Sequence, residues 1–237
     1  MLKLQYEKLE VVKLQHSTIV LKNAETGTMI VIDPYMIEAD IMKDLGVVHS
    51  IFLTHDHFDH FSPKDVGFIA RKETIYVFPA SILDKSKTFL TQSDEHLVSV
   101  IPLEEYTVEI NGELVRFMAL PAYNIDKLSP QGNPYHPKSK EYVGFLIEFA
   151  GASIYIAGDT DKIPEMDALT GMVDVAVLPI SGTYVMTDDE AVAAAKTILP
   201  QIVIPVHYGV VVGDPEMGEV FKQKMAEELP AVQVEIL

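Results

Sequence analysis

The chain has 237 residues, 48% of them hydrophobic, which is enough for a substantial core. Acidic residues outnumber basic ones 35 to 18, and the net charge of −17 repels nucleic acid and anionic membrane alike. Cysteine is absent, which excludes disulfides, thiolate nucleophiles and cysteine-held metals.

The opening MLKLQYEKLE mixes charge into its apolar pattern and lacks the long apolar core of a signal peptide. No apolar run is long enough to span a bilayer. A cytoplasmic protein is expected, with one domain over residues 1–237. Apolar runs that read as strands follow at Thr18 to Leu21, Met29 to Ile32, Ser50 to Leu53 and Ile75 to Phe78. A short helix is predicted over Asp40 to Leu45. Ser62 as N-cap and Pro63 in the first turn predict another, running towards Lys72. Further strands are predicted at Leu97 to Ile101, Thr107 to Ile110, Leu114 to Leu120, Val143 to Phe149, Ser153 to Ala157, Val173 to Leu178, Ile202 to Val206 and Val232 to Ile236. Asn111-Gly112 and Ala150-Gly151 mark tight hairpin turns. Helices are predicted at Asp188 to Leu199, with acids first, alanines inside and Pro200 as the stop, and at Pro215 to Glu228. Hairpins precede alternating strands and helices in both halves, which predicts an α/β (α+β) chain with two mixed sheets and helices packed outside.

The segment from Asn124 to Glu141 carries three prolines and no periodicity. A loop that long inside a compact domain is usually functional, often a lid. Its Lys127, Lys138 and Lys140 attract an anionic substrate or keep a lid soluble.

Several apolar runs end in a group suited to metal chemistry. Ile32 is followed by Asp33, Leu53 by Thr54-His55-Asp56-His57-Phe58-Asp59-His60, Ala157 by Gly158-Asp159, and Val206 by His207. Carboxylates and imidazoles at strand ends are how α/β scaffolds build sites. Side chains alternate in an extended segment, so His55, His57 and Asp59 point one way and Asp56 the other. One loop can therefore feed two cations, with His55 and His57 on the first and Asp59 and His60 on the second. Asp159 bridges them and His207 completes the second. Imidazole with carboxylate and no sulfur suits Zn²⁺, with Mn²⁺ or Fe as alternatives. Two cations roughly 3.5–4 Å apart activate a water as nucleophile.

THDHFDH, followed in order by Asp159 and His207 and preceded by Asp33, resembles the metallo-β-lactamase superfamily. IVIDP, YIAGDTD, PISGTY and PVHYG resemble its stand-alone metal-dependent hydrolases of the ascorbate-6-phosphate lactonase-like group. The resemblance implies a four-layer αβ/βα sandwich with the site at one edge of the sheets, and a role for Asp33 in orienting a ligand histidine. QHSTIVL resembles the family's early motif and places His16 near the site, although a structural histidine is the alternative. The family usually supplies another histidine after the strand ending at Leu120, and Asn124 stands there instead. Asn124 is then a weak ligand, a substrate contact or a loop cap, and occupancy of the first metal position is in question. His136, beside Pro137, reads first as exposed, with an auxiliary or ligating role behind that. Asp59 is expected to be both a ligand and the catalytic general acid. His49, His96, Tyr184 and Met186 read as structural.

The function expected is hydrolysis of a small ester, lactone or phosphodiester by a metal-activated hydroxide. The alternatives are a nuclease of the same fold, which the charge disfavours, and a non-hydrolytic metal-binding protein such as a di-iron redox protein. A small-molecule partner is expected, no membrane, nucleic acid is disfavoured, and a homo-oligomer stays open.

Overall fold

The computed structural model describes residues 3–85 and 94–237, with Met42 and Asp44 described in backbone only. The described strands form two seven-stranded sheets. The first runs β1 (Leu4–Tyr6), β2 (Leu9–Lys13), β3 (Ile19–Asn23), β4 (Met29–Ile32), β5 (Ser50–Phe52), β6 (Ile75–Pro79) and β7 (Leu97–Val100), side by side in chain order. The second runs β8 (Glu105–Ile110), β9 (Glu113–Pro121), β10 (Val143–Phe149), β11 (Ala152–Ile156), β12 (Val175–Pro179), β13 (Ile202–Val206) and β14 (Gln233–Val234), again in chain order. In each sheet the first four strands are antiparallel and the fourth to seventh parallel. The two halves therefore share one topology.

Strands buried on both faces explain the unbroken apolar runs. Met29 to Ile32 are all buried, with Ile30 and Ile32 facing the second sheet's side chains and Met29 and Val31 facing helices. Between the sheets, Phe52 of β5 meets Phe117 of β9 and Phe145 of β10 edge-on, at ring-centroid distances of 5.0 and 5.2 Å. Helices α1 (Ala39–Leu45) and α2 (Pro63–Ile69) cover the outer face of the first sheet. Helices α3 (Asp188–Ile198) and α4 (Met217–Glu228) cover that of the second. The result is the expected four-layer sandwich. Among the described residues, no helix is long and apolar enough to cross a membrane.

Local chemistry sets the boundaries. Thr187 and Glu190 cap α3 reciprocally, Thr187 Oγ1 accepting from the Glu190 N–H and the Glu190 carboxylate from the Thr187 N–H. Asn111 and Gly112 both have positive φ (53° and 79°), as do Ala150 and Gly151 (52° and 84°), so both pairs form the predicted two-residue hairpins. Two expectations need correction. Helix α2 ends at Ile69, with extended backbone at Ala70, rather than near Lys72. Strands β1 and β2 lie in a stretch where no strand is predicted, because LQYEKLEVVK interleaves charges with the apolar positions that face the core.

Candidate metal centre

The carboxyl ends of the parallel strands in both sheets meet at one edge. Asp33 follows β4, the segment Thr54 to His60 follows β5, Asp159 follows β11, Ser181 follows β12 and His207 follows β13. The two hairpin connections at that edge add His16, between β2 and β3, and His136, between β9 and β10. Backbone hydrogen bonds join the halves here, from Val143 N–H to Thr54 O at 3.1 Å and from His207 N–H to His16 O at 3.4 Å. His16, Asp33 and His207 all hold positive φ (54°, 47° and 61°), a costly backbone for non-glycine residues.

Six of the eight histidines converge there. Nitrogen and carboxylate atoms of His55, His57, His136 and Asp159 lie within 4.8 Å of one another, and so do those of His16, Asp59, His60 and His207. Asp159 stands between the groups. Its Oδ2 is 3.2 Å from His136 Nε2, 3.1 Å from His207 Nε2 and 3.8 Å from His55 Nε2, and its Oδ1 is 3.2 Å from His60 Nε2. Asp59 Oδ2 is 3.2 Å from His16 Nε2 and 3.9 Å from His207 Nε2.

The outer nitrogens of four of these rings are engaged by neighbours. Asp33 Oδ2 pairs with His60 Nδ1 at 2.7 Å and also accepts the Thr54 hydroxyl at 2.6 Å. That hydroxyl, having donated its proton, accepts from His55 Nδ1 at 2.9 Å. Asn124 Oδ1 accepts from His136 Nδ1 at 3.0 Å, and Ser181 Oγ lies 3.1 Å from His207 Nδ1. With the protons on Nδ1, His55, His60 and His136 turn Nε2 lone pairs inward, the last of them 3.0 Å from His57 Nδ1. His55 Nε2 and His16 Nδ1 are buried with no hydrogen-bond partner, and the close pairs His60 Nε2–Asp159 Oδ1 and His16 Nε2–Asp59 Oδ2 lack hydrogen-bond geometry. An unmatched buried polar atom costs about 1–3 kcal/mol. Inward lone pairs and carboxylates without donors form an environment that a divalent cation satisfies, and the donor set suits Zn²⁺, Mn²⁺ or Fe.

Electrostatics agree. Burial pushes the His55 and His57 imidazoles down, and neighbouring rings add to it, so both are held neutral. Burial also lowers His16. Burial raises Asp159, but His207 and His60 outweigh it and hold the carboxyl well below its usual range. His60 is raised well above the imidazole range, since Asp159 and Asp33 overcome the burial that lowers it. Positive charge is favoured where His60 meets Asp159.

The structure corrects three expectations. Asn124 does not enter the centre. Its amide oxygen takes the N–H and Nδ1 of His136, and its amide nitrogen donates to Asp161 Oδ1 at 3.0 Å and Tyr184 O at 2.8 Å. His136, expected first to be exposed, is 1% exposed and stands with His55, His57 and Asp159. The segment 124–141 is no loose lid, because buried Asp161 accepts the N–H groups of Ile125 and Asp126 and fastens one end. Two of its three lysines are committed too, Lys127 to Glu190 at 2.8 Å and Lys138 to Glu165 at 2.8 Å. Asp56 stays outside both donor groups, as expected, taking the Tyr142 hydroxyl at 2.6 Å and Lys85 at 2.9 Å. Sequence reasoning missed Thr54, Asp161 and Tyr142. Tyr142 packs its ring 5.2 Å from that of His55. The switch from the buried apolar run ending at Leu53 to a hydroxyl residue was the available signal for Thr54.

A cavity of about 460 Å³ opens onto the centre, lined by Asp56, His57, Asp59, His136, Asp159 and His207 together with Phe58, Tyr135, Tyr184 and Val211. Gly158 aims Asp159 at it with φ 66°, and a Cβ there would lie 3.1 Å from Val143 O and 3.2 Å from Thr54 Cβ. Gly158→Ala is expected to lower stability by about 2 kcal/mol. Thermal melts should show this as a Tm fall of roughly 4–8 °C.

The family model described as a β-lactamase superfamily domain matches residues 10–207. A UPF0173 metal-dependent hydrolase of Methanoculleus marisnigri is 28% identical over 214 residues, covering 88% of this chain and 85% of its own. A UPF0173 protein of Pyrococcus furiosus is 30% identical over 187 residues, covering 78% and 77%. The crystal structure of a candidate metal-dependent hydrolase from Parabacteroides distasonis is 27% identical with a TM-score of 0.76, covering 96% of this chain and 92% of its own. With strands β3 to β13 and the converging histidines inside the matched span, the chain belongs to the β-lactamase superfamily, among its metal-dependent hydrolases.

Proposed function

We propose that the protein hydrolyses a small ester, lactone or phosphodiester with two divalent cations held at this centre, zinc first and manganese or iron as alternatives. The observation that carries the reading is the convergence of inward Nε2 lone pairs on two carboxylates beside an open cavity. His55, His57, His136 and Asp159 would hold one cation. Asp59, His60 and His207 would hold the other, with Asp159 shared and His16 beside them. Such cations supply Lewis acidity and bring the pKa of a water down to about 7.

The chain's own groups do the rest. Asp33, Thr54 and Asn124 fix the tautomers of three rings and Ser181 holds the His207 ring in place, so the donor set needs no rearrangement during turnover. Asp59 lines the cavity and directs Oδ2 towards His16, while no hydrogen bond among the described residues claims its Oδ1. Burial raises the Asp59 carboxyl, but His16 and then His60 outweigh it, so it stands ionised and ready to accept a proton. In ester cleavage the oxygen of water bonds to the acyl carbon and the acyl–oxygen bond breaks. The water's proton passes through Asp59 to the leaving oxygen.

Asp59→Asn is therefore expected to lower kcat by about 10²–10⁴-fold, with KM changed far less. Steady-state kinetics on any substrate found in a screen of esters, lactones and phosphodiesters, with Zn²⁺ and Mn²⁺ added separately, makes the test. A variant near wild-type kcat removes Asp59 from the role. A metal-loaded protein inert on every class removes the hydrolytic reading, and a nuclease assay in the same screen covers the nucleic-acid alternative, which the net charge of −17 opposes.

A further inference from the structure

The cavity beside the centre has a chemical bias. Apart from its histidines and aspartates, its lining consists of Phe58, Tyr135, Tyr184 and Val211. Phe58 is 66% exposed and Val211 38%, so both offer apolar surface to an entering molecule. The rings of Tyr135 and Tyr184 meet edge-on with centroids 4.7 Å apart, and neither hydroxyl has a hydrogen-bond partner among the described residues. No lysine or arginine is among the described lining residues. Three lysines of neighbouring segments are already neutralised. Lys85 pairs with Asp56, Lys127 with Asp126 and Glu190, and Lys138 with Glu165.

We propose that this cavity selects an uncharged substrate, a carboxylic ester or lactone carrying an apolar chain, and rejects phosphodiesters and acyl groups with their own negative charge. The proposal rests on the hydrolytic reading above and narrows it. An anionic group placed away from the metals would meet Phe58, Val211 and two tyrosine rings, and would lose its hydration with no cation to replace it. The net charge of −17 adds a long-range penalty for any anion approaching. An apolar chain gains from the same surfaces, and the free tyrosine hydroxyls can donate to a neutral carbonyl or ring oxygen without a charge partner. A volume of about 460 Å³ falls within the range of small-molecule sites and leaves room for a medium-length acyl chain.

The test uses the zinc- and manganese-loaded holoenzyme and three nitrophenyl substrates. p-Nitrophenyl hexanoate and mono-p-nitrophenyl adipate share chain length and leaving group and differ in a terminal carboxylate. Bis(p-nitrophenyl) phosphate reports the phosphodiester class. The expected result is a kcat/KM for the hexanoate ester at least about tenfold above that for the adipate half-ester, and above that for the phosphodiester. Val211→Lys places a cation on the lining outside the metal-binding residues, and should reduce the hexanoate-to-adipate ratio at least about tenfold. Equal or greater kcat/KM for the adipate half-ester or the phosphodiester overturns the proposal while leaving hydrolysis standing. An unchanged ratio in a folded Val211→Lys protein, checked by circular dichroism and metal content, also overturns it, because the acyl chain then binds elsewhere. If Val211→Lys does not fold, the wild-type ratio decides alone. No hydrolysis of the hexanoate ester by a holoenzyme that cleaves a charged substrate in the wider screen overturns the proposal, and no hydrolysis anywhere in that screen overturns the hydrolytic reading itself.

Discussion

Asp159→Ala will lose bound metal from both donor groups at once and melt well below the wild type. Asp159 is the only carboxylate within 4 Å of His55, His60, His136 and His207 together among the described residues. Without it, four inward-facing imidazoles retain no shared negative charge, and each donor group loses its link to the other. Removing an outer residue that merely orients a ligand typically costs 10–100-fold in metal affinity, and removal of a shared ligand should cost about 100-fold or more. A cation present at 100 times its Kd stabilises the folded state by about 2.7 kcal/mol, and losing that term should lower Tm by roughly 6–10 °C. Elemental analysis after gel filtration, paired with melts with and without chelator, makes the test. The variant should melt alike in both conditions, whereas the wild type should lose stability on chelation. Unchanged metal content in the variant would take Asp159 out of the centre.

The second large effect concerns Asn124. Asn124→Ala leaves His136 Nδ1 without its acceptor and frees the ring to rotate or change tautomer. The metal associated with His55, His57 and His136 should then bind about 10–100-fold more weakly. Asn124→His should give no compensating gain, because the Asn124 side chain is enclosed by His136, Asp161 and Tyr184 and an imidazole there does not reach the centre. Stepwise chelation with metal counting distinguishes the outcomes. Tighter metal retention by Asn124→His would mean that position 124, and not His136, faces the cation.

The difference between those two residues marks where the sequence stops being readable. The strand ends announced themselves: Asp33, the His55 to His60 segment, Asp159 and His207 each follow a buried apolar run, and parallel strands in one sheet carry their carboxyl ends to the same edge. The hairpin-then-crossover order of elements likewise carried the two-sheet architecture. By contrast, the segment from Asn124 to Glu141 has no period to follow. Its path is set by hydrogen bonds that Asp161 makes from 35 and 36 residues away, and nothing local in NIDKLSPQGNPYHP says that His136 folds inward while Asn124 supports it. His16 poses the same difficulty, since a turn residue with positive φ has no pattern to set its direction. Thr54 depends on β4 and β5 lying side by side, which places its hydroxyl between Asp33 and His55.

The shared topology of the two halves bears on the order in which the molecule assembles. The first half brings His16 and the His55 to His60 segment, and the second brings His136, Asp159 and His207. Neither half holds both donor groups, so the proposed metal positions would form only when the two sheets have met, through contacts of long sequence separation that are expected late in folding. A ligand that recognises a feature absent from the transition state leaves the folding rate alone and slows unfolding. Metal should therefore act as a latch on the finished protein: refolding rates should be the same with chelator or with zinc, while the unfolding rate falls as the cation concentration rises.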